Sequence, residues 1–252
     1  MCRHIAALGP ARPLGGVLVE PEYGLYRQAW APRRQRHGTV NADGFGVGWY
    51  ADGDPRPARY RRAGPIWADQ SFGDLARVVR SEAVLAAVRD ATVAGADDEA
   101  AAAPFTADRW LFSHNGVVTG WPGTAVDLAA TLPAAELLAL EARCDSALVW
   151  ALLLHRLREG EPLGQALADT VLQVGAAAPG SRLNLLVTDG ERIAATAWGE
   201  DLWYLKDRPE LHVAMASEPY DDDPAWREVP DLTLLIADRN DVLLTPLKEP
   251  LA

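Results

Sequence analysis

The sequence predicts one α+β domain, in which two packed β-sheets carry helices on their outer faces. Short apolar segments of strand character crowd both ends of the chain, and helix-patterned segments lie between them. No internal repeat, low-complexity tail or interdomain linker interrupts the 252 residues, so a single domain over 2–252 is expected. The composition, 49% hydrophobic and 23% charged, is that of a globular chain able to bury one large core.

Residues 3–8 read as a strand that starts almost at the chain's beginning and stops at Gly9-Pro10. Residues 45–50 (Phe-Gly-Val-Gly-Trp-Tyr) read as a second strand whose glycines allow close backbone approach. A short helix is expected near 74–80 and a strand over 83–88. The alanine-rich, acidic stretch 94–104 reads as a loop. Residues 110–113 form a strand that runs into His114-Asn115-Gly116, a turn signal. Helices are expected over 133–142 and 145–158. The second carries Leu148, Val149, Leu152 and Leu153 on one face and has Gly160 just past its end. Residues 183–187, Asp189-Gly190 and 192–198 give a hairpin pattern. Strands over 212–216, 232–236 and 242–244 complete the reading.

A net charge of −11 argues against nucleic-acid and anionic-membrane partners. No apolar run reaches the roughly 18 residues of a membrane span, and the first residues lack the pattern of a secretory signal, so a cytoplasmic location is expected. With only two cysteines, Cys2 and Cys144, a disulfide scaffold is excluded. The five histidines are scattered and no Cys-x-x-Cys pair exists, so no metal site is expected. One basic cluster, Arg33-Arg34-Gln35-Arg36-His37, stands out in the acidic chain. A solvated loop and a pocket for an anionic substrate group both fit it.

Cys2 is the residue of greatest chemical interest. Removal of Met1 would leave a thiol and a free α-amine on one residue. The amine, with an ordinary pKa of roughly 7.7–8.0, suits a general base near neutral pH, and the thiolate is a nucleophile. A buried cysteine at a strand start is the plainer alternative. Asn115 and Gly116 offer a side-chain NH₂ and a backbone N–H, the donors that a tetrahedral oxyanion requires, although Asn-Gly equally suits a hairpin turn. Arg89 follows an apolar strand, and a guanidinium binds a carboxylate through two parallel hydrogen bonds; Thr92 adds a hydroxyl nearby. Asp145 precedes a helix, where it suits an N-cap, a ligand for a substrate ammonium, or both. Together Arg89 and Asp145 match the two charges of an α-amino acid head group.

The order of these segments is similar to a known family. Met1-Cys2, Asn41-Ala42-Asp43-Gly44-Phe45-Gly46, Val88-Arg89-Asp90-Ala91-Thr92, Ser113-His114-Asn115-Gly116, Cys144-Asp145-Ser146 and Ala216-Ser217-Glu218-Pro219 together resemble the class II glutamine amidotransferases, N-terminal-nucleophile hydrolases. The resemblance implies an αββα four-layer sandwich. It implies Cys2 as nucleophile and base, Asn115 and Gly116 as the oxyanion hole, Arg89 and Thr92 on the γ-glutamyl carboxylate, and Asp145 on its ammonium.

A narrower resemblance is carried by Ala31-Pro32-Arg33-Arg34-Gln35-Arg36-His37-Gly38, Ala86-Ala87-Val88-Arg89, Ser181-Arg182-Leu183-Asn184 and Ser217-Glu218-Pro219-Tyr220-Asp221-Asp222-Asp223-Pro224. It points to the amidohydrolases of bacterial ergothioneine biosynthesis, which implies a γ-glutamyl-hercynylcysteine sulfoxide substrate and neither metal nor organic cofactor. Arg33, Arg34, Arg36 and His37 could then meet the leaving group's carboxylate or sulfoxide oxygen, and Trp30 or Tyr220 its trimethylammonium. Ala87 and Val93 replace histidines found in many ammonia-producing members, and no synthase domain follows within these residues. These departures favour a stand-alone hydrolase that releases a larger amine. A glutaminase serving a separate synthase, and a catalytically silent binding module, are the alternatives. The sequence leaves oligomeric state undetermined.

Overall fold

The computed structural model describes residues 2–91 and 99–247. Thirteen strands are seen among them: β1 (Cys2–Pro13), β2 (Phe45–Trp49), β3 (Ala58–Arg62), β4 (Arg80–Arg89), β5 (Phe105–Ala107), β6 (Trp110–Val117), β7 (Arg182–Thr188), β8 (Ile193–Ala197), β9 (Trp203–Arg208), β10 (Leu211–Ala216), β11 (Arg227–Glu228), β12 (Thr233–Ala237) and β13 (Val242–Pro246). The helices are α1 (Gly15–Leu18), α2 (Leu25–Gln28), α3 (Phe72–Val78), α4 (Val126–Ala129), α5 (Ala134–Leu138), α6 (Asp145–Arg158) and α7 (Leu163–Ala177). One sheet has the order β11-β9-β10-β1-β4-β2-β3 and the other β13-β12-β8-β7-β6-β5, with every pairing antiparallel.

The two-residue alternation of strands makes the layers. On β1, Ile5 and Ala7 face outward and join Leu14, Val17 and Leu18 beside α1 and Phe72 of α3. Ala6 and Leu8 face inward and meet Leu111 and Leu186 of the second sheet. Strand β6 alternates likewise. Leu111 enters the space between the sheets, whereas Phe112 stacks on Trp150 of α6 with ring centroids 5.3 Å apart. Helices α6 and α7 cover the second sheet with Leu148, Leu152, Leu167 and Val171, each such burial contributing roughly 1.5–3 kcal/mol. The result is the αββα sandwich expected.

Several elements differ from the sequence reading, each for a physical reason. β1 continues past Gly9-Pro10 to Pro13, with a register shift between Leu8 and Arg12. β6 does not turn at Asn115-Gly116. It runs on because Asn115 and Gly116 find ladder partners in Asn184 and Leu183, so tertiary pairing overrides the local turn preference. The expected helix 133–142 shrinks to α5, which buries no residue and leaves Leu138 almost wholly exposed. Helix α7 adds to the helices expected, and Leu163, Ala166, Leu167, Thr170, Val171 and Val174 carry its helical spacing. The edge strand β3, and β9 beside the two-residue edge strand β11, show no clear apolar alternation. The loop expected over 94–104 lies partly outside the described residues; within it Glu99–Ala101 form a 3₁₀ turn, and Ala101, Ala102 and Ala103 are buried.

The space between the sheets is not wholly apolar at the Cys2 end. His4, Ser113, Asn115 and Ser217 are all buried there, and His4 Nδ1 lies 3.1 Å from Ser113 Oγ. Burial, reinforced by Arg3 and His114, pushes the His4 imidazole down to about 3. His4 is therefore neutral when folded and takes up a proton only on unfolding. Its contribution is complete above the unfolded value near 6.5 and is lost at about 1.4 kcal/mol per pH unit on acidification toward pH 3. Urea unfolding across pH 7 to 5 should show this slope, and His4→Asn, which bonds Ser113 without titrating, should flatten it by about one proton. An unaltered slope in that variant would show that His4 is not its source.

Candidate active site

One cavity of about 320 Å³ opens at the Cys2 end of the sandwich. Its wall includes Cys2, Arg89, Gly116 and Asp145, which come from four separate elements. The β1/β4 register sets Cys2 opposite Arg89. The Cys2 backbone N–H donates to Asn115 Oδ1 at 3.3 Å, across from one sheet to the other. Asn115 Nδ2 donates to Ser217 Oγ at 3.4 Å.

Each of these residues is held by the local fold. Arg89 Nη1 donates to the Asp43 carbonyl at 3.0 Å, while Asp43 Oδ2 accepts the Ala91 N–H at 2.7 Å. The Asn41-Ala42-Asp43-Gly44 segment thus clasps the end of β4. Asp145 is the first residue of α6, with Cys144 extended before it as the N-cap residue and making no side-chain cap hydrogen bond. The expected N-cap is thus shifted by one residue: Asp145 Oδ1 accepts the first-turn Ser146 N–H at 2.7 Å, while Oδ2 accepts the Val118 N–H at 2.9 Å and ties the exit of β6 to α6. A carboxylate in this first turn is also favoured by the helix dipole. Gly116 packs so tightly that an added Cβ would run into the Arg182 carbonyl and stand 2.8 Å from His114 Nε2. His114 is fixed on both sides, Nε2 at 3.0 Å from that carbonyl and Nδ1 at 3.0 Å from Ser146 Oγ. Because a carbonyl only accepts, Nε2 carries a proton.

Electrostatics shape the thiols. Burial pushes the Cys2 thiol up, and the Arg89 guanidinium partly opposes this. Cys144, on the same wall, is raised to about 11, again chiefly by burial. A thiol held above its ordinary range carries little standing thiolate near pH 7, so an attacking sulfur here must lose its proton to a neighbouring base during the step.

The basic cluster forms a strap outside this cavity. The backbone N–H groups of Arg33 and Arg34 donate to the buried Glu218 carboxylate at 2.9 and 2.8 Å. Arg33 pairs with Asp222 and lies over the Tyr23 ring, and Arg34 lies over Trp203. Arg36 pairs with Asp201, and His37 Nε2 stands 3.9 Å from Glu200 Oε1. Neither Arg36 nor His37 lines the cavity, but Gly38 packs on Asp90, which does. Trp30 packs edge-on against Tyr26 and Trp67 on the outer surface, and Tyr220 is buried on Trp226; neither lines the cavity. Thr92 and Val93 lie outside the described residues.

A family model for class II glutamine amidotransferases matches residues 24–227. The chain belongs to the class II glutamine amidotransferases. Within the family, it is 44% identical over 98% of its length to a γ-glutamyl-hercynylcysteine sulfoxide hydrolase of Mycobacterium tuberculosis, of which it covers 97%. It is 42% identical, again over 98% of its length, to the protein of the same description from Mycolicibacterium smegmatis, covered in full. Among solved structures, a glutamine aminotransferase class-II domain protein from Silicibacter pomeroyi superposes with a TM-score of 0.71 over 98% of this chain and 100% of that one, at 24% identity, which supports the fold.

The family's sequence motifs did not reveal what Asp43, His114 and Ser217 touch. Each sits inside a motif that the sequence displays, but its partner comes from a distant strand or loop. Among the described residues no helix is long and apolar enough to cross a membrane. The tight seat of Gly116 makes a direct forecast. Gly116→Ala should lower the thermal unfolding midpoint by several degrees, through overpacking that costs about 1–3 kcal/mol, and should abolish most Cys2-dependent turnover. A variant of native stability and full activity would mean that the Arg182 carbonyl yields without cost.

Proposed function

We propose that this chain hydrolyses the γ-glutamyl amide bond of γ-glutamyl-hercynylcysteine sulfoxide, releasing glutamate and hercynylcysteine sulfoxide. The observation that carries the reading is the convergence of Cys2, Gly116, Arg89 and Asp145 on one cavity, with Asn115 buried directly behind Gly116 and bonded to the Cys2 N–H. The substrate is supported by the two mycobacterial relatives, matched over nearly the whole chain.

In this reading the chain is one domain, Met1 is removed, and the Cys2 nitrogen becomes a free amine beside Asn115 Oδ1. Arg89, with Thr92, takes the α-carboxylate of the γ-glutamyl group, and Asp145 takes its ammonium. The amine accepts the thiol proton as sulfur attacks the γ-carbonyl carbon, which fits a thiol without standing charge. Asn115 Nδ2 and the Gly116 N–H stabilise the oxyanion. As the C–N bond breaks, the protonated amine passes its proton to the departing amine, leaving a thioester on Cys2. Water then attacks the thioester carbonyl, giving its proton to the amine. Collapse breaks the C–S bond, returns the proton to sulfur and frees glutamate. Arg36 and His37, exposed on a strap that borders the cavity through Gly38 and Asp90, serve the leaving-group side. No metal or organic cofactor enters any step.

Glutamate release from γ-glutamyl-hercynylcysteine sulfoxide and from glutamine, with Cys2→Ala as control, tests the reading. Strong Cys2-dependent release from the sulfoxide and little from glutamine is expected; release from glutamine alone would make the chain a glutaminase. Asn115→Ala should lose about 100- to 1,000-fold in kcat while still folding. An undiminished rate in that variant would remove Asn115 from the mechanism.

A further inference from the structure

Ala216-Ser217-Glu218-Pro219 is a family motif to which the reaction above gives no part. We propose that Ser217 is a positioning residue, whose hydroxyl holds the Asn115 carboxamide in the plane that presents one Nδ2–H to the developing oxyanion. The inference rests on the reading of Asn115 as an oxyanion donor.

Ser217 follows directly on β10 and is completely buried. It is clasped to β1 from both directions. Its backbone N–H donates to the His4 carbonyl at 3.0 Å, and the His4 N–H donates to Ser217 Oγ at 3.0 Å. The hydroxyl oxygen is thereby fixed relative to the strand that carries Cys2. Asn115 Nδ2 donates to the same oxygen at 3.4 Å, and Asn115 Oδ1 accepts the Cys2 N–H at 3.3 Å. A hydroxyl oxygen has two lone pairs, so it accommodates both N–H groups.

The Asn115 backbone belongs to the second sheet, yet both ends of its carboxamide are held by residues of the first. This matters because the terminal torsion of asparagine is broad and soft. With one end held, the amide plane swings; with both held, it is set. One of the two Nδ2 hydrogens goes to Ser217 and the other remains for the substrate. Pre-set donors stabilise developing charge without reorganising during the reaction, which is the condition for a large rate effect. Ser217 does not line the cavity; it acts through Asn115, which adjoins the cavity wall at Gly116.

A double-mutant cycle on glutamate release tests this, with kcat and KM measured for the wild type, Ser217→Ala, Asn115→Ala and the double variant. Ser217→Ala should lower kcat about 10-fold with KM little changed, because an interaction made only in the transition state is lost. In the Asn115→Ala background the same substitution should cost less than about twofold, since the group it positions is gone. Equal losses in both backgrounds, or an effect confined to KM, would overturn the proposal and leave Ser217 a structural clasp. Full activity of Asn115→Ala would instead sink the underlying oxyanion reading. Ser217→Cys, of similar volume but a poor acceptor, enters the same cycle with the same expectations should Ser217→Ala not fold.

Discussion

The pairing of β1 with β4 is the constraint on which the rest of the site depends. Its register sets Cys2 against Arg89, and every other member of the site is defined relative to that pair. β4 brings its own support, because Asp43 grips both Arg89 and Ala91. β1 lies within its sheet, flanked by β4 and β10; Cys2 is held by the β4 ladder, and the β10 ladder takes hold from Ile5 onward. A side chain on a strand is placed more accurately than one on a loop, and the second sheet then brings Asn115 and Gly116 on the facing strand β6.

The space between the sheets shows how this precision is reconciled with stability. Most of it is apolar, with Ala6, Leu8, Leu85, Leu111 and Leu186 in contact. Toward Cys2 it becomes a hydrogen-bonded series, running from Ser113 to His4 and from Ser217 to Asn115 and the Cys2 backbone. Buried polar groups are expensive unless bonded, and here each side chain has at least one partner. The same burial that makes these bonds firm keeps His4 neutral and raises the Cys2 thiol.

The parts of the fold legible in the sequence were those where one element declares itself alone. The apolar face and terminal glycine of α6, and the Asp189-Gly190 hairpin, are local signals that the structure repeats. Asn115-Gly116 misled as a turn because its conformation is decided by β7, nearly seventy residues away in the chain. The candidate site residues were found through their motifs, but the grouping of Cys2, Arg89, Gly116 and Asp145 on one wall follows from strand register, which no periodicity encodes. The same holds for Ser217 and Asp43. Arg36 shows the converse: its charge stood out in sequence, and the fold pairs it with Asp201 on an exposed strap.

The ladder between β1 and β10 joins segments more than two hundred residues apart in sequence, with Ile5 opposite Ala216. A contact of such sequence separation makes for late closure, because a long loop must be ordered before the pairing gives anything back. During synthesis β1 has no β10 to pair with until more than two hundred residues have been made. Strand β1 therefore remains without this partner while the intervening residues are made. The topology that encloses Cys2 is thus also slow to close: the strand that carries it stays open until β10 arrives.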